Sequence, residues 1–447
     1  MIPVTRRPRE GLRGPSSLRR ETPAATAPVQ RDSTRRKLLT TLSLVLFALA
    51  LANTIFLKAR ALDYFWHRPV LGLYGLGVTV YLLSRFAIAL FYRAPRDVGF
   101  RPSMSVIVAC KNEEQAIANT LERILAADYP RELLEVIAID DGSTDGTYRE
   151  MERVRDLHPE MRLIRFPQNL GKRHGMAAGT RAATGEVLVF IDSDSFLDKD
   201  GLYRIAQGFA DSKVAAVSGH CFVANAWKNW LTGTQAVQYY VAFRVLKAAE
   251  SVFSSVTCCS GCFAAYRRSA VMEVLDTWLN QTFLGQPATF GDDRSLTNYM
   301  LRRHKVIYDS TATASTIVPD NFRKFLRQQL RWKKSWLRET MRAAGFMWRK
   351  PPVMAFSFFA GFLFPLLAPL VVFRALVYLT LVQGHPSFIY LWGLLMMSLL
   401  YSAVYLISQR NRLWVYGISM CFLYAFVLNW QLPWAILTSW NNKWGTR

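Results

Sequence analysis

The stretch Val187-Leu188-Val189-Phe190-Ile191-Asp192-Ser193-Asp194-Ser195 decides how the chain is read. Five apolar residues in a row suit a short strand buried on both faces, as in a parallel sheet. Two aspartates, one residue apart, follow at its carboxyl end. Open α/β sheets bind their ligands at the carboxyl ends of strands. Alternate residues of an extended chain point the same way, so Asp192 and Asp194 are expected to offer two hard oxygen ligands to one divalent cation. Mg²⁺ is commonly held by one or two carboxylates together with substrate phosphates. A strand followed by a polar turn would look the same, so the reading depends on what surrounds it.

Outward from this stretch, residues 103–315 alternate strands and helices. Met104–Ala109, Val136–Ile139 and Leu163–Phe166 read as further strands. Glu114–Ala126 reads as a helix with Ile117, Leu121, Ile124 and Leu125 on one face. Such alternation predicts an α/β domain with a parallel sheet and right-handed crossovers. Gly171–Ala183 is expected to be a crossover helix with Lys172 and Arg173 in its first turn. Cations are not what a helix N-terminus prefers, so the two are expected to face an anion.

The rest of the 447 residues belongs elsewhere. The chain is 51% hydrophobic, with 55 Lys+Arg against 32 Asp+Glu and a formal charge of +23. That combination suits a membrane protein with basic cytoplasmic loops. No nucleic-acid motif accompanies the charge, so a nucleic-acid partner is not expected. Residues 1–37 read as a disordered basic tail, and residues 38–92 as two transmembrane helices, Leu38–Leu57 and Val70–Tyr92, the second interrupted by Arg85. The tail places the N-terminus in the cytoplasm by the positive-inside rule, and two crossings return the chain there for residues 103–315. Residues 316–350 alternate Trp, Phe and Leu with Arg and Lys, as in helices lying in a membrane interface. Residues 351–439 hold three apolar runs, Val353–Val382, Phe388–Ile407 and Trp414–Leu437. Asn429, Gln431 and Pro433 mark the last as interfacial or re-entrant, which leaves residues 440–447 cytoplasmic. Six cysteines show no disulfide framework, and Cys258, Cys259 and Cys262 lack a second ligand pair for zinc. The expected location is the plasma (inner) membrane, multi-pass, with lipid as one partner. The oligomeric state is left open.

Four polar constellations sit on this scaffold: Asp140-Asp141-Gly142, Asp192-Ser193-Asp194, Gly291-Asp292-Asp293-Arg294 and Gln328-Gln329-Leu330-Arg331-Trp332. Each alone reads as a turn, a helix cap or a surface helix. Together they meet the needs of sugar transfer from a nucleotide donor. That chemistry requires a nucleotide site, a metal on the diphosphate, a base for an acceptor hydroxyl, cations for the leaving group and a platform for the acceptor ring.

These motifs, with Ser105 to Glu113 (Ser-Val-Ile-Val-Ala-Cys-Lys-Asn-Glu), resemble those of processive family-2 glycosyltransferases of the GT-A fold, which implies an α/β domain with a parallel-rich mixed sheet and helices on both faces. Asn169–His174, Asn280–Gly285, Arg331–Trp336 and Trp444-Gly445-Thr446-Arg447 bring the resemblance closer to the hyaluronan synthases. It covers roughly residues 38–447. The resemblance implies an inverting hexosyltransferase with Mg²⁺ or Mn²⁺, UDP-sugar donors and a growing polysaccharide. It implies UDP and donor contacts from Ala109, Lys111, Glu113, Asp141, Lys172, Arg173, Asp192, Gln328 and Arg331. Asp194 would be the main metal ligand, helped by Asp192. Asp293 would be the general base, with Asp292 beside it and Arg294 orienting the acidic pair. Cys259, Ser260, Gly261 and Trp332 would meet the acceptor, while Trp444, Thr446 and Arg447 would belong to a gating tail over the nucleotide. One departure is Cys262-Phe263 after Gly261, where hyaluronan synthases usually have Pro-Leu. It points toward rhizobial chitin-oligosaccharide synthases, which usually lack the Lys333-Lys334-Ser335-Trp336 and terminal Trp-Gly-Thr-Arg patterns. A non-catalytic sensor of nucleotide sugars is the reading from another class. A decayed domain should have lost Asp192, Asp194, Asp293 or Arg331, and all four are present.

Overall fold

The computed structural model describes residues 69–440, together with Ala52. The basic tail, the rest of the run Leu38–Leu57, and Trp444, Thr446 and Arg447 lie outside the described residues.

An eight-stranded sheet carries the central domain. Its strands are β1 (Met104–Cys110), β2 (Leu134–Asp140), β3 (Arg162–Arg165), β4 (Val187–Phe190), β5 (Ser195–Leu197), β6 (Val214–Val223) and β7 (Ala264–Arg267). A hairpin of β8 (Thr282–Phe283) and β9 (Gln286–Pro287) precedes the last sheet strand, β10 (Lys305–Thr316). The spatial order is β3-β2-β1-β4-β7-β6-β10-β5. Strands β3, β2, β1 and β4 run parallel, whereas β7 is antiparallel to both neighbours. The expected mixed α/β sheet is what forms.

The apolar runs explain why these strands are central. Every residue of β1 and β4 is buried. Alternate side chains then feed two cores. Ile107, Ile137, Ile139 and Leu188 pack on one face with Met176 and Ala177 of the helix Lys172–Ala182. Val106, Val108, Val136 and Val189 pack on the other with Ile117, Leu121 and Ile124. Each such side chain contributes about 1.5–3 kcal/mol by leaving water. The helix expected at Glu114–Ala126 forms over Ile117–Leu125, here α2, after α1 (Pro69–Ala89). The crossover helix α3 spans Lys172–Ala182.

Strand β5 follows β4 after four residues yet pairs with β10 at the far edge of the sheet. The sheet therefore curls. A register break between Tyr308 and Thr313 lets β10 bend, and Asp309 ties the bend by accepting from Thr311 N–H at 2.8 Å. The bend carries Thr313–Thr316 to β5, beside the turn that holds Asp192 and Asp194.

Further along lie α4 (Trp230–Val241), α5 (Asp292–Arg303) and α6 (Phe322–Met347). The stretch read as interfacial is one 26-residue helix, α6, with a buried face that includes Phe325, Leu337, Arg338 and Glu339. It is thus as much a wall of the central domain as an amphipathic belt. Among the described residues, Pro352–Gln383, Phe388–Gln409 and Arg412–Leu437 are long and apolar enough to cross a membrane. The third is segmented between Phe426 and Gln431. Its polar residues face protein: Asn429 is buried, and Gln431 donates to the Leu326 carbonyl of α6 at 3.1 Å.

Just beyond α1, Tyr92 joins the apolar helices to the sheet. Its hydroxyl donates to the Tyr308 carbonyl at 2.9 Å and accepts from Ser310 N–H at 3.0 Å. Tyr92→Phe is expected to cost about 1–3 kcal/mol, because both backbone groups lose their partner. The check is thermal unfolding in detergent, where a lower midpoint with unchanged helix content is the expected result.

Candidate functional site

The site assembles around the N-terminus of α3. Asp141, just past β2, accepts from the N–H groups of Leu170 at 2.7 Å and Gly171 at 2.9 Å. Burial lifts the Asp141 carboxyl above its ordinary range, while those two N–H groups pull the other way. Gly171 has a φ of 97°, a conformation that a side chain resists, and so turns the chain into the helix.

The next two residues find the anions expected of them, and both are the protein's own. Lys172 pairs with Asp192. Burial works against the Lys172 charge, but Asp192, with Asp292 and Asp293 behind it, outweighs burial and holds the ammonium above the ordinary lysine value. Arg173 donates through Nε to Asp292 Oδ1 at 2.8 Å, and both side chains are buried. Arg173 also donates to the Trp278 carbonyl at 3.2 Å.

Strand β4 ends at Phe190, so Asp192 and Asp194 lie in the turn beyond it, and strand alternation is not what orients them. The turn is pinned instead. Thr120 donates its hydroxyl proton to the Ser193 carbonyl at 2.8 Å, and Ile317 N–H donates to the Asp194 carbonyl at 3.3 Å.

Asp292 and Asp293 open α5, where carboxylates meet a favourable helix end. Gly291 before them has a φ of 77°, and a Cβ there would lie 1.8 Å from Ser335 Oγ of α6. Asp293 accepts from Arg294 N–H at 2.7 Å, and its other oxygen lies 3.5 Å from Cys258 Sγ. Burial first, then Asp293, pushes the Cys258 thiol up to about 12, so it keeps the proton it points at the carboxylate. Among the described residues no ion pair joins Arg294 to Asp292 or Asp293. The ion-pair partner of Asp292 is Arg173.

The loop Cys258–Gly261 passes beneath. A Cβ on Gly261 would come within 3.0 Å of Asp192 Oδ1, and Cys259 N–H donates to Thr297 Oγ1 at 2.9 Å. Lys247 holds this loop. Its buried ammonium donates to the Cys258 carbonyl at 2.6 Å, to Ser260 Oγ at 2.7 Å and to Ser218 Oγ at 3.0 Å. It ends a π-helical turn, Ala242–Lys247, whose register no periodicity announces. Glu339 of α6 is the other residue that motif reading passed over. It accepts from Gln281 at 2.7 Å, Arg338 at 2.8 Å and Asn298 at 3.3 Å, tying α6 to α5.

One cavity of about 1780 Å³ is lined by Ala109, Lys111, Asp141, Lys172 and Arg173, by Asp192, Asp194 and Asp292–Arg294, and by Cys259–Gly261. Gln328, Arg331 and Trp332 line it too, and the lining continues to Trp336, Pro365, Tyr424 and Leu432. Glu113 is not part of it. Its carbonyl accepts from Ala116 and Ile117 N–H at the start of α2. The cavity thus gathers carboxylates, basic side chains and indole faces in one chamber, a donor set suited to a phosphorylated sugar ligand.

A curled sheet with acidic turns at its strand ends and such a chamber is the architecture of a glycosyltransferase. Residues 105–275 match Glycosyl transferase family 2. A hyaluronan synthase of Streptococcus pyogenes is 30% identical over 400 residues, 86% of this chain and 92% of the relative. An N-acetylglucosaminyltransferase of Rhizobium meliloti (strain 1021) is 36% identical over 291 residues, 64% of this chain and 67% of the relative. Among solved structures, the mannosyltransferase PcManGT from Pyrobaculum calidifontis, in complex with GDP-Man and Mn²⁺, superposes with a TM-score of 0.56. It shares 22% identity and covers 89% of this chain and 99% of its own. The chain belongs to glycosyl transferase family 2, in its hyaluronan synthase-like branch. It is a glycosyltransferase and a membrane protein.

The buried Arg173–Asp292 pair gives a stability test. Arg173→Met leaves Asp292 charged and uncompensated, at a cost of about 3–5 kcal/mol. Arg173→Met combined with Asp292→Leu is expected to recover part of that loss. Unfolding midpoints of the two single variants and the double variant check it, and strict additivity would mean that the pair is not coupled.

Proposed function

We propose that the protein polymerises UDP-GlcNAc and UDP-GlcA into hyaluronan on the cytoplasmic face and passes the chain out between its own apolar helices. The observation that carries this reading is the continuity of the cavity. It joins Asp141, Asp192 and Asp293 to Trp332, and Trp332 to Pro365 and Tyr424 on helices apolar enough for a bilayer. A polymer of hydroxyls and carboxylates cannot cross hydrocarbon unpaired, so a path beside the active site is needed.

In this reading Asp141 and Lys172 hold the uridine part of the donor. Asp194, with Asp192 beside it, is the place for Mg²⁺ or Mn²⁺. Hard carboxylate oxygens with room for diphosphate oxygens suit either ion, and the PcManGT complex contains Mn²⁺. When bound, the ion neutralises charge on the diphosphate. Asp293 takes the proton of the acceptor hydroxyl as that oxygen bonds to the anomeric carbon and UDP departs with the bonding pair. The thiol of Cys258 at 3.5 Å and the Arg294 N–H orient the Asp293 carboxylate for this. Gln328 and Arg331 serve the diphosphate, and Trp332 offers a face to the acceptor ring.

A second reading, a polymer of GlcNAc alone, is favoured by Cys262-Phe263 and by the rhizobial N-acetylglucosaminyltransferase relative. The deciding experiment incubates purified protein and Mg²⁺ with each UDP-sugar alone and with both, then digests the product with hyaluronidase or chitinase. Hyaluronidase-sensitive polymer made only from both donors is the expected result. Product that only chitinase degrades would establish the second reading.

Two substitutions test the roles. Asp293→Asn is expected to lower turnover by about 10²–10⁴-fold while UDP binding persists, because only the proton acceptor is lost. Near-normal turnover would remove Asp293 from that role. For Asp194→Ala, calorimetric titration of UDP should no longer respond to Mn²⁺. A metal response equal to that of the unaltered protein would make the turn merely structural.

A further inference from the structure

Beyond Trp332 the cavity lining becomes apolar, with Trp336, Pro365 and Leu432, and one ammonium lies among them. Lys333 Nζ lies 5.5 Å from the centroid of the Tyr424 ring, on the stretch Arg412–Leu437. Other lysines of the lining have oxygen partners: Lys172 has Asp192, Lys228 has Asp320, and Lys247 has three oxygens. Among the described residues, no carboxylate lies within 4.0 Å of Lys333. Burial, with no opposing anion, pulls its pKa down to about 8. A cation held over an aromatic face gains about 0.5–2 kcal/mol. Lys333 is partly buried in the cavity wall, and the aromatic face offsets only part of the hydration it gives up there. An anion in the cavity would supply the rest, and in the reading above the group that passes this place is the nascent chain.

The geometry points to Lys333 as a specificity-determining contact for a carboxylate of the nascent polysaccharide, one residue beyond the Trp332 platform. The partner is a hexuronate unit, because a neutral amino-sugar polymer carries no anion to meet the ammonium. Tyr424 and Trp336 then supply faces for the rings on either side of the charge. Lys333 touches product rather than the reacting atoms, so its effect falls on chain growth. The inference rests on the polymerase reading above and assigns one polymer class within it.

The test uses full-length purified protein and the variants Lys333→Arg, Lys333→Gln and Lys333→Glu. Each is supplied with UDP-GlcNAc plus UDP-GlcA, and separately with UDP-GlcNAc alone. Product size and UDP release are measured in both. With both sugars, the Gln variant is expected to shorten the product about ten- to hundredfold, as for a lost charge-assisted hydrogen bond. The Glu variant is expected to shorten it further, and the Arg variant to retain most of the length. The decisive quantity is the loss of product length divided by the loss of initial UDP-release rate, both measured with both sugars. A ratio well above one supports the carboxylate contact. A ratio near one, or full-length product from the Gln variant, overturns it and makes Lys333 a packing residue. If the unaltered protein makes no hyaluronidase-sensitive polymer, the polymerase reading for hyaluronan fails first, and the carboxylate contact fails with it.

Discussion

The structure depends on what the first turn of α3 collects. Leu170 and Gly171 give their N–H groups to Asp141, Lys172 takes Asp192, and Arg173 takes Asp292. Three acidic motifs, from Asp141 to Asp292, are thus brought to the four consecutive residues Leu170 to Arg173. Carboxylates gathered in one cavity would otherwise repel each other and draw protons. The helix end resolves this with one backbone cradle and two cations. The two pairs differ in kind. Arg173–Asp292 is sealed and acts as framework, while Lys172–Asp192 is partly open to the cavity.

Much of this is legible in the sequence because the sheet is built from continuous apolar runs. Val187–Ile191 and Met104–Ala109 announce buried strands, and the polar residues after them announce a strand-end site. The anion partners of Lys172 and Arg173 follow from the mismatch between cations and a helix N-terminus. What escapes reading is set by tertiary contacts. Three residues, Ser195–Leu197, carry no periodic signal, and their pairing with β10 depends on a bend more than 100 positions away. Lys247 sits in a π-helical turn, so spacing rules built on 3.6 residues misplace it. Arg294 is next to the acidic pair in sequence but not its ion-pair partner, since adjacent helix residues point in different directions. Glu113 belongs to a familiar motif, yet its backbone starts a helix and its side chain stands off the cavity lining.

Helix α6 shows how one element serves two environments. Composition marks it as amphipathic, which is true of its Trp and Lys side chains. Its other face buries Ser335, Arg338, Glu339 and Thr340, which a lipid-facing helix could not satisfy. Arg338 and Glu339 are matched by Gln281, Asn298 and the Phe290 carbonyl of the central domain. The segmented stretch Arg412–Leu437 leans on the same helix through Gln431 and Leu326.

The contact of Gly291 with Ser335 leaves no clearance between α5 and α6, and the Glu339 bonds clamp the same seam. The two helices are therefore a single lever. Asp293 sits at one arm and Trp332 on the other. A displacement of α6 at Trp332 is therefore passed to the Asp293 end without slack, so the two lining residues keep their separation as the cavity wall moves.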